Sequence, residues 1–443
     1  MGVAAAASAG LLLVGGLAFK GRQLIQASRV PPLPDLASQP EAVRRHLADA
    51  RAGAFGRPLD ASAVGAYCFA LHADMFLDAA ARCYALAERL DPSNWRWTYY
   101  RALVLNERGG GDAFARAMQS VLERAPDYGP AWWRLGEAEF KQGRYDRAAD
   151  AWRRAAAAGE PPRGSEWPPH VADVPLAAYA SFGLARVALA GGDAQTARRL
   201  LETAISQAPR FGPAYRLLGE AEAALGDAAA AERAIARASR LPPYAPYADP
   251  MVDVLARTSE NATFLLRQAS DADLDANAAW SEFLVRRALA ADPNDPDVLA
   301  KLGRILRYLG RNEEALAVFQ EYAQKVPGDF QGLAQIGSCL SDLQRFDEAE
   351  RYLRRALEGN DDALTHYNLG VVLAATGRVE EAIAEYRRAL ARDPALDTAR
   401  NNLAAALART GRLAEAEREL TRILDLDPDN ALARANLQRL KGR

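Results

Sequence analysis

The sequence predicts an all-α protein: a right-handed superhelical solenoid of helix-turn-helix repeats behind an N-terminal membrane anchor. Three observations lead to this prediction. Alanine and arginine dominate the 443 residues while β-branched residues are sparse, which is typical of helices. Glycine and proline recur between apolar runs, where they end helices. Asparagine, disfavoured inside helices, returns in helical sequence at Asn368, Asn402 and Asn436, in steps of 34 residues.

The chain opens with an uncharged apolar run from Gly2 to Phe19, just short of the ~20 residues of a spanning helix. No basic region precedes this run, and no clear small-residue cleavage site accompanies it. We therefore predict a membrane anchor or uncleaved signal at 1–22, followed by a proline-rich spacer at 23–39. Three basic residues lie on the downstream side and, by the positive-inside rule, favour the cytoplasm for the bulk of the chain: Lys20, Arg22 and Arg29.

The repeat is defined by residues at fixed positions of a 34-residue sequence. In the repeat that starts at Ala363, Gly377 lies between two helical runs, A and B, where a left-handed residue ends helix A. Ala382 is small where the two helices cross, and Pro394 ends helix B. Because no repeat can bury its apolar side alone, neighbouring repeats must stack on each other.

Ten repeats follow a predicted capping helix at 40–60. They form one array at 61–162, two repeats within 178–245, and a second array at 262–443 with a C-terminal cap. Linkers are predicted at 163–177 and 246–261, because their prolines disfavour helix interiors. The ten repeats are 61–94, 95–128, 129–162, 178–211, 212–245, 262–295, 296–329, 330–362, 363–396 and 397–430.

Two stretches match a known signature: Trp132-x2-Leu135-Gly136, and Ala315-x3-Phe319. The chain thus resembles the tetratricopeptide repeat family. The resemblance implies a superhelix whose inside is lined by helices A, and the anchor-plus-spacer layout resembles bacterial membrane-anchored members. It implies a membrane-tethered scaffold that binds a protein or peptide partner and supports assembly of a bacterial envelope complex. We expect a single-pass protein of the cell inner membrane, its bulk leaning periplasmic.

The three asparagines fall on the side of helix A opposite its packing stripe, so Asn368, Asn402 and Asn436 are predicted to bind a partner. A similar asparagine ladder in repeats of the O-linked N-acetylglucosamine transferase family grips the backbone of an extended polypeptide. A carboxamide offers both a donor and an acceptor to a peptide bond. The alternatives are that these amides are merely exposed, or that each bonds the adjacent repeat.

A second candidate surface lies in the N-terminal half, where six of the seven tryptophans fall between Trp95 and Trp167. Aromatic residues interleaved with arginine on an exposed surface are typical of protein-recognition hot spots. The alternative is that much of this aromatic content is core. The residues predicted to bind a partner here are Arg96, Tyr99, Tyr100, Trp133, Arg134, Phe182 and Arg186.

Other chemistries lack support in the sequence. A net charge of −2 gives no indication of nucleic-acid binding, and the four histidines have no paired spacing. The three cysteines are interpreted as small buried hydrophobic residues. Residues 271–282 resemble a calcium loop, but Ala276 replaces the required glycine. We predict no enzyme, cofactor, metal site or small-molecule substrate.

Two alternative functions remain open. One is a cytoplasmic-facing regulatory or chaperone-like adaptor that clamps the charged C-terminus of a partner with Lys301, Arg304 and Arg307. The other is an accessory subunit of an enzyme complex, whose repeats only space other components.

Overall fold

The computed structural model describes residues 27–161, 174–241, 247, 249–271, 274–428 and 430–442, and these residues form α-helices without any strand. They belong to two compact units. Unit 1 consists of the described residues within 27–208, 246–271 and 290–293. Unit 2 consists of those within 209–245, 272–289 and 294–443.

The helices of unit 1 are α1 (Glu41–Gly56), α2 (Ala61–Ala73), α3 (Leu77–Leu90), α4 (Trp95–Glu107), α5 (Gly111–Arg124), α6 (Gly129–Lys141), α7 (Tyr145–Ala158), α8 (Leu176–Ala190), α9 (Ala194–Gln207), α12 (Pro250–Thr258) and α13 (Ala262–Asp271). The intervening α10 (Gly212–Ala224) and α11 (Ala228–Ala238) belong to unit 2. The remaining helices are α14 (Leu274–Ala291), α15 (Pro296–Tyr308), α16 (Asn312–Lys325), α17 (Phe330–Asp342), α18 (Phe346–Gly359), α19 (Ala363–Ala375), α20 (Val379–Arg392), α21 (Asp397–Arg409), α22 (Leu413–Leu426) and α23 (Ala431–Lys441).

One repeat shows how the sequence produces a helix pair. Asp362 caps α19 by accepting hydrogen bonds from the backbone N–H groups of Leu364 and Thr365, at 2.9 and 3.2 Å. After α19 ends, Gly377 adopts a left-handed φ of +84° and turns the chain into α20. The predicted all-helical repeat architecture is confirmed at this level.

The helices of a pair cross closely because helix A carries a glycine opposite an aromatic residue of helix B. A Cβ atom on Gly370 would lie 2.6 Å from the Tyr386 ring, and one on Gly136 would lie 2.4 Å from Nε1 of Trp152. Such distances are far inside van der Waals contact, so a larger residue would force the helices apart. This crossing explains the Leu-Gly pair of the repeat.

The proline-rich segment at 246–261, predicted to exclude helix, contains α12. The prediction was wrong because Pro250 is the first residue of this helix, where no N–H is needed and the fixed φ of proline fits. Asp249 is the N-cap and accepts a hydrogen bond from the backbone N–H of Met251 at 3.0 Å. In the other predicted linker, 163–177, α8 begins at Leu176, while residues 162–173 lie outside the described part of the chain.

Two of the cysteines are bonded to each other, which corrects their interpretation as separate hydrophobic residues. Cys68 on α2 and Cys83 on α3 form a disulfide, and both residues are buried. The two helices of this first repeat bring the Cα atoms to 5.2 Å, a separation that suits a disulfide. Cys339 is a buried free thiol, as predicted.

Within the described residues, no helix combines the length and the apolar character needed to cross a membrane. This finding contradicts the predicted single-pass location in the cell inner membrane with the bulk leaning periplasmic, and we do not retain that location. The apolar run at 2–19, and the anchor or signal predicted at 1–22, lie outside the described residues.

Candidate functional site

Two tyrosines that we predicted to be exposed on the inside of the repeats are buried. Tyr99 and Tyr100 on α4 are 0% and 2% exposed. They are covered by the chain itself, because Tyr247 and the stretch from Asp249 to Glu260 lie across helices A of unit 1. We call these described residues the cis segment, and the sides of α2, α4, α6 and α8 that it contacts the inner face of unit 1.

Asp249 is the anchor of the cis segment. Its carboxylate accepts hydrogen bonds from the hydroxyls of Tyr99 at 2.5 Å and Tyr128 at 3.0 Å. Arg134 on α6 donates through Nε at 3.0 Å and through Nη2 at 2.8 Å. Asp249 itself is buried, so these donors replace the water that an ionised carboxylate would otherwise require.

The electrostatics of this cluster favour a neutral tyrosine pair around one ion pair. Burial, reinforced by the charge of Asp249, raises the pKa of both Tyr99 and Tyr128 well above the usual value. Burial opposes the charged form of Arg134, but Tyr99 and Asp249 raise the pKa of its guanidinium above the ordinary value. The tyrosines therefore act as hydroxyl donors, and arginine remains the cation.

Tyr247 occupies an aromatic site next to this anchor. Its ring lies 5.5 Å from the ring of Trp133 on α6 and 5.8 Å from that of Tyr179 on α8. Its hydroxyl donates to Oε2 of Glu160 at 2.8 Å. Offset and edge-on contacts at such distances are favourable aromatic geometries, and the hydroxyl has a polar partner. Trp133 and Arg134 are adjacent in the sequence. Trp133 contacts the ring of Tyr247, and Arg134 forms the ion pair with Asp249.

The other end of the cis segment reaches the first repeat. Tyr100 donates from its hydroxyl to the sulfur of Met251 at 3.7 Å. Ser259 donates from its hydroxyl to the carbonyl of Ala73 at 2.9 Å, and the backbone N–H of Glu260 donates to buried Asp74 at 2.9 Å. The cis segment therefore passes from α8 and α6, across α4, to the end of α2, opposite to the order of the repeats.

A pocket of about 250 Å³ remains beside the cis segment. Glu107 lies in its wall, close to buried His72. Burial opposes ionisation of Glu107, but the neighbouring His72 imidazole, whose Nε2 lies 3.6 Å from Oε1, and the charge of Arg267 together lower the pKa of this carboxyl. The pocket walls therefore carry charges of both signs. Its lining includes Leu103, Glu107, Arg134, Asp253, Phe264 and Arg267.

The remaining N-terminal residues that we predicted to bind a partner lie apart from the anchor. Arg186 donates to Glu137 at 2.7 Å, and its guanidinium stacks 4.1 Å from the Phe140 ring and 5.8 Å from the Phe182 ring. Arg96 is exposed and stacks on Trp95 at 5.1 Å. The structure thus joins Tyr99, Tyr100, Trp133 and Arg134 at the cis segment, and places the other three in local aromatic–cation contacts.

The asparagines of unit 2 bond the preceding repeat. Each is half-buried and donates from its amide nitrogen to a side-chain oxygen on the preceding helix A. Asn368 donates to Ser338 at 2.8 Å, and Asn402 donates to the Tyr367 hydroxyl at 3.5 Å. Asn436 donates to Asn401 at 3.3 Å. This is the inter-repeat alternative left open by the sequence.

The predicted carboxylate clamp of unit 2 is partly engaged within the protein. Arg307 donates from Nε to Asp342 of the next repeat at 2.6 Å. Arg304 is exposed and Lys301 is half-buried. Arg307 would have to leave Asp342 before it could bind the C-terminus of a partner.

Tyr128, Tyr247 and Asp249 were not predicted as site residues. One local signal was available, because Asp249 followed by Pro250 is a typical helix start. That signal predicts α12 but not its position against α4 and α6, since the hydroxyl of Tyr99 comes from 150 residues upstream.

Comparison with protein-family models agrees with the repeat geometry. Models described as tetratricopeptide repeats match residues 111–162, 182–246 and 337–397, residues 373–440, and residues 284–317. Together these matches cover more than half of the chain. The chain belongs to the tetratricopeptide repeat family. Tetratricopeptide repeat proteins bind protein or peptide partners, and we expect the same of this chain. No finding supports membrane tethering or a role in assembling an envelope complex.

Curated relatives are similar to this chain over short stretches. The chain is 30% identical over 121 residues to BBSome complex member BBS4 of Bos taurus, covering 27% of this chain and 23% of that protein. It is 31% identical over 116 residues to protein FlbA of Caulobacter vibrioides, covering 26% and 20%. The human protein O-mannosyl-transferase TMTC2 is 35% identical over 100 residues, or 22% of this chain and 12% of that enzyme. The chain thus spans less than a quarter of each relative, too little to transfer the activity of the transferase.

Parts of this chain are also similar to solved structures. MamA from Desulfovibrio magneticus RS-1 is 19% identical with a TM-score of 0.33, and the alignment covers 38% of this chain and 97% of that one. YrrB, described as a TPR protein with an unusual peptide-binding site, is 21% identical with a TM-score of 0.31, covering 42% and 95%. At these scores the similarity says nothing about what this chain binds.

Proposed function

We propose that this chain is a protein–protein interaction scaffold that binds polypeptide segments along its helices A. The observation that carries the proposal is the cis segment. The inner face of unit 1 already holds a stretch of polypeptide, through side chains that fit a tyrosine, a carboxylate and a methionine. Tyrosine, tryptophan and arginine supply most of these contacts, as in the centres of protein interfaces.

Unit 2 offers a second surface for the same function. Along helices A, Leu364 and Leu432 are 56% and 55% exposed, next to Asn368 and Asn436 in the following turn. Apolar side chains beside carboxamides suit the side chains and backbone of an extended peptide. The asparagines retain their predicted partner-binding role as part of this proposal, alongside the observed inter-repeat bonds.

Crosslinking in cells followed by affinity capture and mass spectrometry tests the proposal. The wild-type chain is compared with a variant carrying Asn368→Ala, Asn402→Ala and Asn436→Ala. If the asparagines bind the partner, captured proteins decrease while the melting temperature falls only slightly. If they act only between repeats, the melting temperature falls and the captured proteins are unchanged.

A matched control places alanine at Arg354, Arg387 and Arg388, which lie on helices B and are about half exposed. This control is expected to leave capture unaltered. Failure to crosslink any protein to either unit would contradict the scaffold function itself.

A further inference from the structure

The cis segment contacts unit 1 in a different way from the repeats. Within a repeat, helices pack through small apolar positions such as Ala148 and Ala382, both fully buried. The cis segment also buries apolar side chains, Leu255 and Ala256, but it is held in addition by hydroxyl groups, a guanidinium and aromatic rings around Tyr247 and Asp249. Polar anchors of this kind, with Tyr, Trp and Arg on the receiving side, are typical of a binding interface.

The fit of the cis segment is also incomplete. The pocket of about 250 Å³ beside it shows that the inner face is larger than its present occupant. An occupant that is anchored by polar and aromatic groups and leaves a pocket beside it can be exchanged for another that makes the same anchoring contacts and fills more of the face.

We propose that the cis segment is an intramolecular ligand, and that the inner face of unit 1 binds partner segments of the same chemistry. The recognised feature is an aromatic residue two positions before a carboxylate that begins a short helix. The aromatic residue enters the Trp133–Tyr179 site, and the carboxylate binds Arg134 and Tyr99. Partner binding then requires displacement of the cis segment. The inference rests on the proposed function, since it names the ligand and the regulation of one of its surfaces.

Covalent connection explains why the cis segment occupies the face by default. A tethered ligand has an effective concentration of roughly millimolar. A free partner with the same contacts must exceed that concentration, or make additional contacts, in order to compete. The charged pocket walls at Glu107 and Arg267 are the positions where such additional contacts are available.

The test measures binding of a fluorescein-labelled synthetic peptide with the sequence of residues 247–260 to the full chain. A released variant carries Tyr247→Ala and Asp249→Ala, which remove both anchors of the cis segment. We expect the released variant to bind the peptide at least tenfold more tightly than the wild-type chain does. The matched control, Tyr145→Ala with Asp146→Ala, makes the same changes on α7 and should behave as wild type.

Specificity is measured in the released variant. Replacing the aspartate of the peptide by asparagine should weaken binding at least tenfold, because Arg134 loses its ionic partner. Adding Arg134→Met to the released variant should abolish binding. The inference is overturned if the released variant keeps its helical circular dichroism spectrum, stays monomeric and binds no peptide. That result would not affect the capture of partners, so the proposed function would stand.

A measurement on the wild-type chain covers the case in which the released variant does not fold. Hydrogen exchange should be faster in α12 than in α4 and α6, and saturating peptide should accelerate it further. Equal protection in all three helices makes the cis segment a fixed part of unit 1 and overturns the inference. If the chain instead forms a concentration-dependent dimer that requires Asp249, the inner face of unit 1 binds a second copy of the chain. That result would overturn the proposal that this face binds a different partner.

Discussion

Gln344 takes the place that glycine holds in most repeats. It adopts a left-handed φ of +60° in the turn between α17 and α18, whereas Gly310, Gly377 and Gly411 fill the same position in neighbouring repeats. A residue with a Cβ atom is strained in this conformation. Gln344 therefore makes this turn less favourable than the corresponding glycine turns of the neighbouring repeats.

Gln344→Gly is expected to stabilise unit 2 by about 0.5–1 kcal/mol, the strain relieved minus the extra backbone entropy of glycine. Urea unfolding followed by circular dichroism measures the change. The matched control is Gln335→Gly inside α17, which should destabilise by about 0.5–1 kcal/mol because glycine is a poor helix former. If both variants changed the free energy of unfolding in the same direction, this account of the turn would be contradicted.

At the scale of elements, the first repeat is the one whose two helices are joined covalently. Cys68 and Cys83 connect α2 and α3 across a sequence separation of 15 residues. The inner face of unit 1 begins at this repeat, since Ala73 and Asp74 receive the end of the cis segment. The disulfide therefore stabilises one end of the candidate site.

Opening this disulfide should destabilise unit 1 by about 3 kcal/mol, the value expected from loop-closure entropy for a loop of that length. Thermal melts with and without reductant measure the effect. The control is the Cys68→Ala, Cys83→Ala variant, which retains the thiol of Cys339 and should not respond to reductant. If reductant lowered the melting temperature of that variant, the effect would not come from the Cys68–Cys83 disulfide.

Helix pairs could be predicted from the sequence because their causes are local. Gly377 ends one helix, Pro394 follows another, and Gly370 marks the crossing, so a 34-residue pattern contains them all. The site could be predicted only in part. Tyr99, Trp133 and Arg134 were found from their composition and helical phase, but their partner Asp249 comes from a different part of the chain. No periodic pattern connects residues so far apart.

At the scale of the whole molecule, neither compact unit is a continuous stretch of sequence. Unit 1 receives residues 246–271 only after α10 and α11 have entered unit 2. Within unit 2, α11 and the residues just after it form ion pairs with the last full repeat, from Arg237 to Asp427 at 2.9 Å and from Arg240 to Asp397 at 2.8 Å. Helices α9 and α10 therefore follow each other in the chain but belong to different units.

A fragment of residues 27–208 should melt at a lower temperature than the first transition of the full chain, because Tyr99, Tyr100 and Tyr128 lose the cover of the cis segment. Adding a peptide of residues 247–271 should restore the melting temperature. At a peptide concentration of 100 times Kd, the gain is about 2.7 kcal/mol by mass action. The same fragment with Arg134→Met should not respond, and an unchanged melting temperature in the first comparison would refute the prediction.

The 150 residues between Tyr99 and Asp249 also separate two moments of synthesis. Ribosomes add about 5–20 residues per second, so Tyr99 is made roughly 8–30 seconds before Asp249. Arg134 and Tyr179 are added within that interval, and the nascent chain then presents an open site until the cis segment is made. A partner that is synthesised nearby meets no tethered competitor during this time, and the newly made protein is then easier to load than the finished one.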